Sequence, residues 1–219
     1  MFKEFEKRLI SSIILILMTL LVVLEGNIIF YTFLTIGFLI SSYEWLKMIK
    51  RTDIKILGIL FLFFSFYSAF YFRDQSLEGF LLIILICVST DIGGYIFGKF
   101  FKGPKLTKIS PNKTYSGVIG SLIMSVFAGL LYIQYMQLPL GILVPLKLNT
   151  LSNNFDLNFI IMMLLISIIS QLGDLAISYF KRLSKIKDTG KILPGHGGLL
   201  DRLDGLIFVI PITYLFIVL

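Results

Sequence analysis

Seven apolar runs, at residues 9–24, 28–43, 54–72, 79–98, 115–135, 158–180 and 203–219, alternate with short charged stretches along the chain. Each is near the ~20 residues that cross a hydrocarbon core at ~1.5 Å per residue. The runs therefore predict transmembrane helices. Composition agrees, since 57% of the residues are hydrophobic and only 15% are charged, less charge than a soluble domain of this length carries. The expected fold class is all-α, a polytopic transmembrane helix bundle of about seven spans. No internal repeat or low-complexity linker divides it, so residues 1–219 read as a single integral membrane domain. Residues 1–80 read as generic transmembrane helices and the distinctive vocabulary falls within 91–204.

The charge pattern gives an orientation. With seven spans, 18 of the 20 basic residues fall on one face, in the groups Lys3–Arg8, Lys47–Lys55, Lys99–Lys113 and Lys181–Arg202. Only Arg73 and Lys147 fall on the other. Basic residues collect in cytoplasmic loops, so the amino terminus is expected inside and the carboxyl terminus outside. This distribution explains the net charge of +7 without a nucleic-acid partner. The first apolar run lacks a small-x-small cleavage pattern and reads as a retained helix rather than a secretory signal. The single Cys87 lies inside an apolar run, where packing is its ordinary role, and no disulfide framework exists.

Two cytoplasmic stretches carry more than topology requires. In the first, residues 91–120, Asp91 sits within an apolar run and is followed by Gly93, Gly94 and Gly98, a spacing that lets another helix approach closely. A carboxylate at that depth is costly unless paired or wetted, which makes it a functional candidate; the plainer reading is a hydrated carboxylate or a pair with Lys99. Beyond the helix, Pro104 and Pro111 break the chain into a turn where Ser110, Asn112 and Thr114 accompany Lys108 and Lys113. Lysine and hydroxyl donors on a tight turn suit phosphate oxygens.

The second stretch, residues 171–204, places Asp174 inside an apolar run, with Ser178 one turn on, and then adds Asp188, Asp201 and Asp204. Lys181, Arg182, Lys187, Lys191 and Arg202 are interleaved with them. Grouped carboxylates repel unless a cation lies among them, and oxygen-only ligands favour magnesium over zinc. The basic side chains would neutralise the rest of a polyphosphate. A final helix beginning near Asp201 would put Asp201 and Asp204 one turn apart at its amino end, where unpaired N–H groups favour anions. Gly195, Gly197 and Gly198 around the sole histidine, His196, leave backbone that a ligand can approach. His196 reads as a donor or loop-shaping residue ahead of a proton-transfer group, because a phosphate monoester nucleophile is already deprotonated near neutral pH.

Residues 178–204 resemble the full signature of the phosphatidate cytidylyltransferase (CDP-diacylglycerol synthase) family. Its fixed positions are matched by Ser178, Lys181, Arg182, Lys187, Asp188, Gly190, Pro194, His196, Gly197, Gly198, Asp201, Arg202 and Asp204. The upstream DIGGYIFGK and KISPNKT segments are similar to the family's second conserved region, except that Ser116-Gly117 stands where an acidic-Gly pair is often found. The resemblance covers 91–204 and implies transfer of CMP from CTP to phosphatidic acid, giving CDP-diacylglycerol and pyrophosphate for phospholipid biosynthesis. It implies dependence on magnesium, with a possible second cation, potassium, and a homodimer. It puts the metal-binding aspartates at Asp174 and Asp201, with Asp204 close by. The catalytic set expected from residues and resemblance together is Asp174, Lys187, Asp188, His196 and Asp201. Ser110, Lys113, Thr114, Ser178, Lys181, Arg182, Lys191 and Arg202 are expected to contact substrate.

On this reading the lipid phosphate arrives sideways from the cytoplasmic leaflet of a bacterial-type inner membrane and CTP arrives from the cytosol. The rival from another class is a cation-coupled transporter using Asp91 and Asp174 as intramembrane ligands. It accounts for buried carboxylates but not for the glycine–histidine loop or the density of Lys and Asp beside it.

Overall fold

A computed structural model of the chain describes residues 16–107, 109–137, 157–192 and 197–218. Its helices are α1 (Ile16–Glu25), α2 (Asn27–Met48), α3 (Thr52–Gln75), α4 (Leu77–Phe101), α5 (Tyr115–Gln137), α6 (Leu157–Leu183), α7 (Leu200–Leu203) and α8 (Leu206–Val218). The fold is all-α; an isolated bridge joins Lys105 and Thr114. Every apolar run predicted from sequence contains a helix. Five, α2 to α6, are long and apolar enough to cross a membrane, whereas Ile16–Glu25 and Leu206–Phe216 are shorter apolar helices. The chain is thus a polytopic integral membrane protein.

The chain forms two compact units: the described residues up to Leu77 together with those from Ala176 onward, and Glu78–Leu175. In the first unit, α2 packs on α3 and α3 on α8. Its core holds Trp45, Met48, Ile49, Leu62, Ile177, Leu200 and Ile207. The Trp45 indole meets Phe180 edge to face at 5.0 Å and donates Nε1–H to the Ile54 carbonyl at 3.3 Å. A side chain at Gly58 would fall on that indole, so glycine there is what lets α3 lie against Trp45. Lipid is as apolar as these side chains, so their attraction comes from close packing rather than from escape from water.

Arg73, in the last turn of α3, has a structural use. The carbonyls of the last turn of α1 lack intrahelical donors, and Gly26, at φ 66°, ends that helix. The Arg73 guanidinium donates to Val23 O at 3.0 and 2.9 Å and to Leu24 O at 3.1 Å. A basic side chain on α3 therefore caps the end of α1.

In the second unit the predicted close helix approach is present, and α5 is the partner of α4. A Cβ on Gly93 would stand 2.5 Å from the Gly120 carbonyl, and one on Gly117 would stand 2.8 Å from that of Gly94. Hydrogen bonds between small polar residues secure the contact. Ser121 donates to the Thr90 carbonyl at 2.7 Å, and Thr90 donates to Ser167 on α6 at 2.9 Å. Cys87 is buried in α4, in the packing role expected of it.

Candidate active site

The loop between α4 and α5 is a small closed structure. Leu106 N–H donates to Lys113 O at 2.8 Å and Lys113 N–H to Ser110 O at 3.1 Å, closing a turn over Ser110–Lys113 with Pro111 at its second position. Proline presets that position's φ. Thr114 then caps α5, its Oγ1 accepting from Gly117 N–H at 3.1 Å and sharing a hydrogen bond with Ser116 Oγ at 3.0 Å. The turn delivers the Lys113 side chain to α6, where Nζ lies 2.5 Å from Asp174 Oδ2 and 3.5 Å from the Gln171 carbonyl. Both members of that ion pair are about a quarter exposed, at 25% and 29%. Of the sequence-predicted residues in this unit, Ser110, Lys113 and Asp174 thus belong to one local arrangement, while the Thr114 hydroxyl is engaged in capping.

Within the first unit, α6 ends in a reversal. Lys185 takes a left-handed φ of 56°, its N–H donates to Arg182 O, and Ile186 N–H returns to Lys181 O, both at 3.0 Å. This is the hydrogen-bond pattern that satisfies the last carbonyls of a helix. The reversal turns the following segment back along the helix end, and Thr189 becomes buried. Asp201, on α7, is the hub. Its Oδ1 accepts from Lys181 Nζ at 2.8 Å, and its Oδ2 from the N–H groups of Thr189 at 2.8 Å and Gly198 at 3.0 Å. Burial works against the charge of this carboxyl, but the Lys181 ammonium and the two backbone donors outweigh it, so its pKa lies below the ordinary carboxylate value.

Around the hub, Gly197 takes φ 89°, and a Cβ there would be 3.0 Å from Asp201 Oδ2 and 3.3 Å from Asp188 Cβ. Asp188 therefore flanks the same backbone. Ser178 is buried, whereas Arg182, Lys187, Asp188, Lys191 and Arg202 are exposed. Asp204 turns its Oδ1 to Gly205 N–H at 2.9 Å. The last long helix does not begin near Asp201 as expected. α7 is a separate four-residue turn carrying Asp201, and α8 starts at Leu206 after a break at Asp204-Gly205. His196 and Lys108, both singled out from sequence, lie outside the described residues.

Two participants escaped the sequence reading. Thr189 bonds Asp201 through its backbone, and its hydroxyl lies 3.0 Å from both Asp201 Oδ2 and Glu44 Oε2. A single hydroxyl proton serves one of them at a time. Glu44, on α2, is 1% exposed and reaches the same loops. The signal available for it was a lone acidic residue directly after the apolar run 28–43, ahead of the basic group that begins at Lys47.

No group of three or more His, Cys, Asp or Glu side chains that could hold a metal ion occurs among the described residues. Magnesium does not require one, since it takes one or two carboxylates and completes its shell with water and phosphate oxygens. The donors fit in kind. Asp174 and Asp201 are hard oxygen ligands, and each already holds a cation, the ammonium of Lys113 or of Lys181.

The model of the family described as "Cytidylyltransferase family" matches residues 56–219, which contain both lysine–carboxylate pairs. A phosphatidate cytidylyltransferase of Brucella suis is 38% identical over 190 residues, covering 84% of this chain and 65% of that protein. One from Staphylococcus aureus is 36% identical over 167 residues, covering 76% of this chain and 57% of that protein. The chain thus spans less than two thirds of the length of these curated relatives. With its match to the family model running through three quarters of its length, the chain belongs to the cytidylyltransferase family.

Proposed function

We propose that the protein transfers CMP from CTP to phosphatidic acid at the cytoplasmic face of the membrane, giving CDP-diacylglycerol and pyrophosphate. The observation that carries this reading is the Lys181–Asp201 centre, with its glycine-flanked backbone donors, lying within the region matched by the cytidylyltransferase family. The names of the Brucella and Staphylococcus relatives support the choice of acceptor. A phosphate oxygen of the lipid attacks the α-phosphorus of CTP, a new P–O bond forms, and the bond to the departing pyrophosphate breaks. The phosphate monoester is its own nucleophile, so the chain's task is positioning and charge neutralisation.

Each set of residues has a part in this. The Ser110–Lys113 turn presents an ammonium and a hydroxyl to phosphate oxygens. Lys181, Arg182, Lys187, Lys191 and Arg202 offset charge on the transferring and leaving groups. Ser178 and Thr114 shape the neighbouring backbone, Asp188 flanks the Gly197 turn, and His196 acts as a donor. Asp174 and Asp201, with Asp204 near the latter in sequence, would hold magnesium, which supplies further neutralisation of the polyphosphate when bound. Incubating the purified protein with radiolabelled CTP, phosphatidic acid and magnesium in detergent should yield a lipid-soluble cytidine product; its absence would overturn the reading.

Removing Lys113 isolates one of these parts. A charge-assisted contact to phosphate is worth roughly 1.5–3 kcal/mol, so Lys113→Ala should lower kcat/KM for CTP about ten- to a hundredfold. A residue serving only the charge asymmetry of the loops would leave CTP kinetics unaltered, and steady-state assays distinguish the two.

The same reading carries a topology of seven spans in the inner membrane, with the amino terminus and the active face cytoplasmic. Single cysteines placed at Lys50, Lys108 and Lys185 should react with an impermeant reagent only from the cytoplasmic side of sealed vesicles, and one at Lys147 only from the other. Positions 108 and 185 labelled from opposite sides would refute a common active face.

A further inference from the structure

Glu44 lies upstream of the residues matched by the family model, on a helix whose sequence is otherwise that of an ordinary span. Burying a carboxyl group is costly unless donors converge on it. Here both oxygens are engaged. Oε1 accepts Leu199 N–H at 3.0 Å, and Oε2 accepts Leu200 N–H at 2.9 Å with the Thr189 hydroxyl at 3.0 Å. The amino end of α7 has no cap of its own, because its N-cap residue, Leu199, has no side-chain acceptor. Glu44 supplies that cap from another helix. The fit is close on every side: a Cβ at Gly190 would fall on Oε1, and one at Gly198 would fall on the Thr189 hydroxyl and stand 2.5 Å from Oε2.

The segments that Glu44 grips are the ones that hold Asp201. Thr189 N–H and Gly198 N–H are the donors to Asp201 Oδ2, and Leu200 is the residue before Asp201. We infer that Glu44 is a positioning residue for the transfer reaction, fixing the 189–190 and 198–200 segments so that Asp201 and its Lys181 partner keep one geometry. It touches no reacting atom in this role; it acts through Asp201. The inference rests on the cytidylyl-transfer reading given above.

Glu44→Gln tests it with little change of shape. An amide has one acceptor oxygen, so its nitrogen must face the N–H of either Leu199 or Leu200, donor against donor. The full-length variant in detergent should show kcat reduced about ten- to a hundredfold while KM for phosphatidic acid stays within about twofold. Hydrogen exchange should quicken in the 186–203 region and remain as in the wild type in α3. Unchanged kcat overturns the inference, and so does a variant in which exchange quickens throughout α2 and α3, since that is general destabilisation. Should Glu44→Gln fail to purify folded, Thr189→Val decides: it removes the bridging hydroxyl and leaves the two caps on α7. A kcat about fivefold or more lower, with KM for lipid retained, supports the inference, and wild-type kinetics overturn it. A wild-type chain that produces no lipid-soluble cytidine sinks the reaction and this inference together; an active wild type with unaltered variants sinks this inference alone.

Discussion

Asp201→Asn is expected to reduce cytidylyl transfer by about two to three orders of magnitude while the protein still inserts and purifies. Removing one partner of a buried ion pair costs roughly 3–5 kcal/mol, because the other charge stays behind uncompensated. Lys181 and Asp201 are 12% and 8% exposed, so solvent offers that charge little relief. An asparagine carbonyl placed at the Oδ2 position keeps the Thr189 and Gly198 donors but turns its amide nitrogen towards the Lys181 ammonium. The reverse rotamer sets it against two backbone N–H groups. Steady-state rates at saturating magnesium are the measurement, and activity near that of the wild type would sink the role given to Asp201. A stability effect accompanies the kinetic one. The folded-state pKa of Asp201 is depressed, so its contribution is present above the unfolded carboxylate value of 3.8 and is lost as pH falls through the lower folded value. Wild-type thermal stability should therefore fall more steeply than that of Asp201→Asn as pH is lowered below about 4.

Asp174→Asn is expected to be nearly as damaging, with at least about a hundredfold loss of turnover. An amide keeps the volume on α6 but discards the charge assigned to a cation and to the Lys113 ammonium 2.5 Å away. The pair is more exposed than Lys181–Asp201, so less of the loss should come from a stranded charge and more from the missing ligand charge. A double-mutant cycle separates these contributions. If Lys113 and Asp174 act as a unit, adding Lys113→Ala to Asp174→Asn should cost much less than Lys113→Ala costs alone. Full additivity would show that the ion pair has no functional consequence. Near-wild-type turnover of Asp174→Asn at saturating magnesium would remove Asp174 from the proposed ligand set.

Much of this protein is legible in one dimension because the membrane enforces local rules. A span must be apolar for about twenty residues, so the runs predicted helices in the right places, and Gly93, Gly94 and Gly98 announced a close helix contact before its partner was known. The clustering of lysine, aspartate and glycine in 171–204 marked the candidate site for a similar reason: such residues are costly beside a membrane unless used. What stayed hidden depended on distance along the chain. Glu44 is 145 residues from Thr189 and 156 from Leu200. No local pattern ties a lone glutamate at the end of an apolar run to a loop that far downstream. The break at Asp204-Gly205 was also hidden, because the apolar run 203–219 reads through it.

The sequence by itself determined that the chain is a helical membrane protein, which stretch holds its candidate site and which family it belongs to. Hydropathy, charge bias and motif are properties of neighbouring residues, and they survive without a fold. The tertiary structure decided which lysine meets which aspartate, that the Thr114 hydroxyl caps a helix, that Arg73 closes the end of α1, and that a glutamate on a plain-looking span grips the loops around Asp201. Those assignments rest on hydrogen bonds a few ångströms long between groups far apart in the chain, and only folding brings such groups within reach.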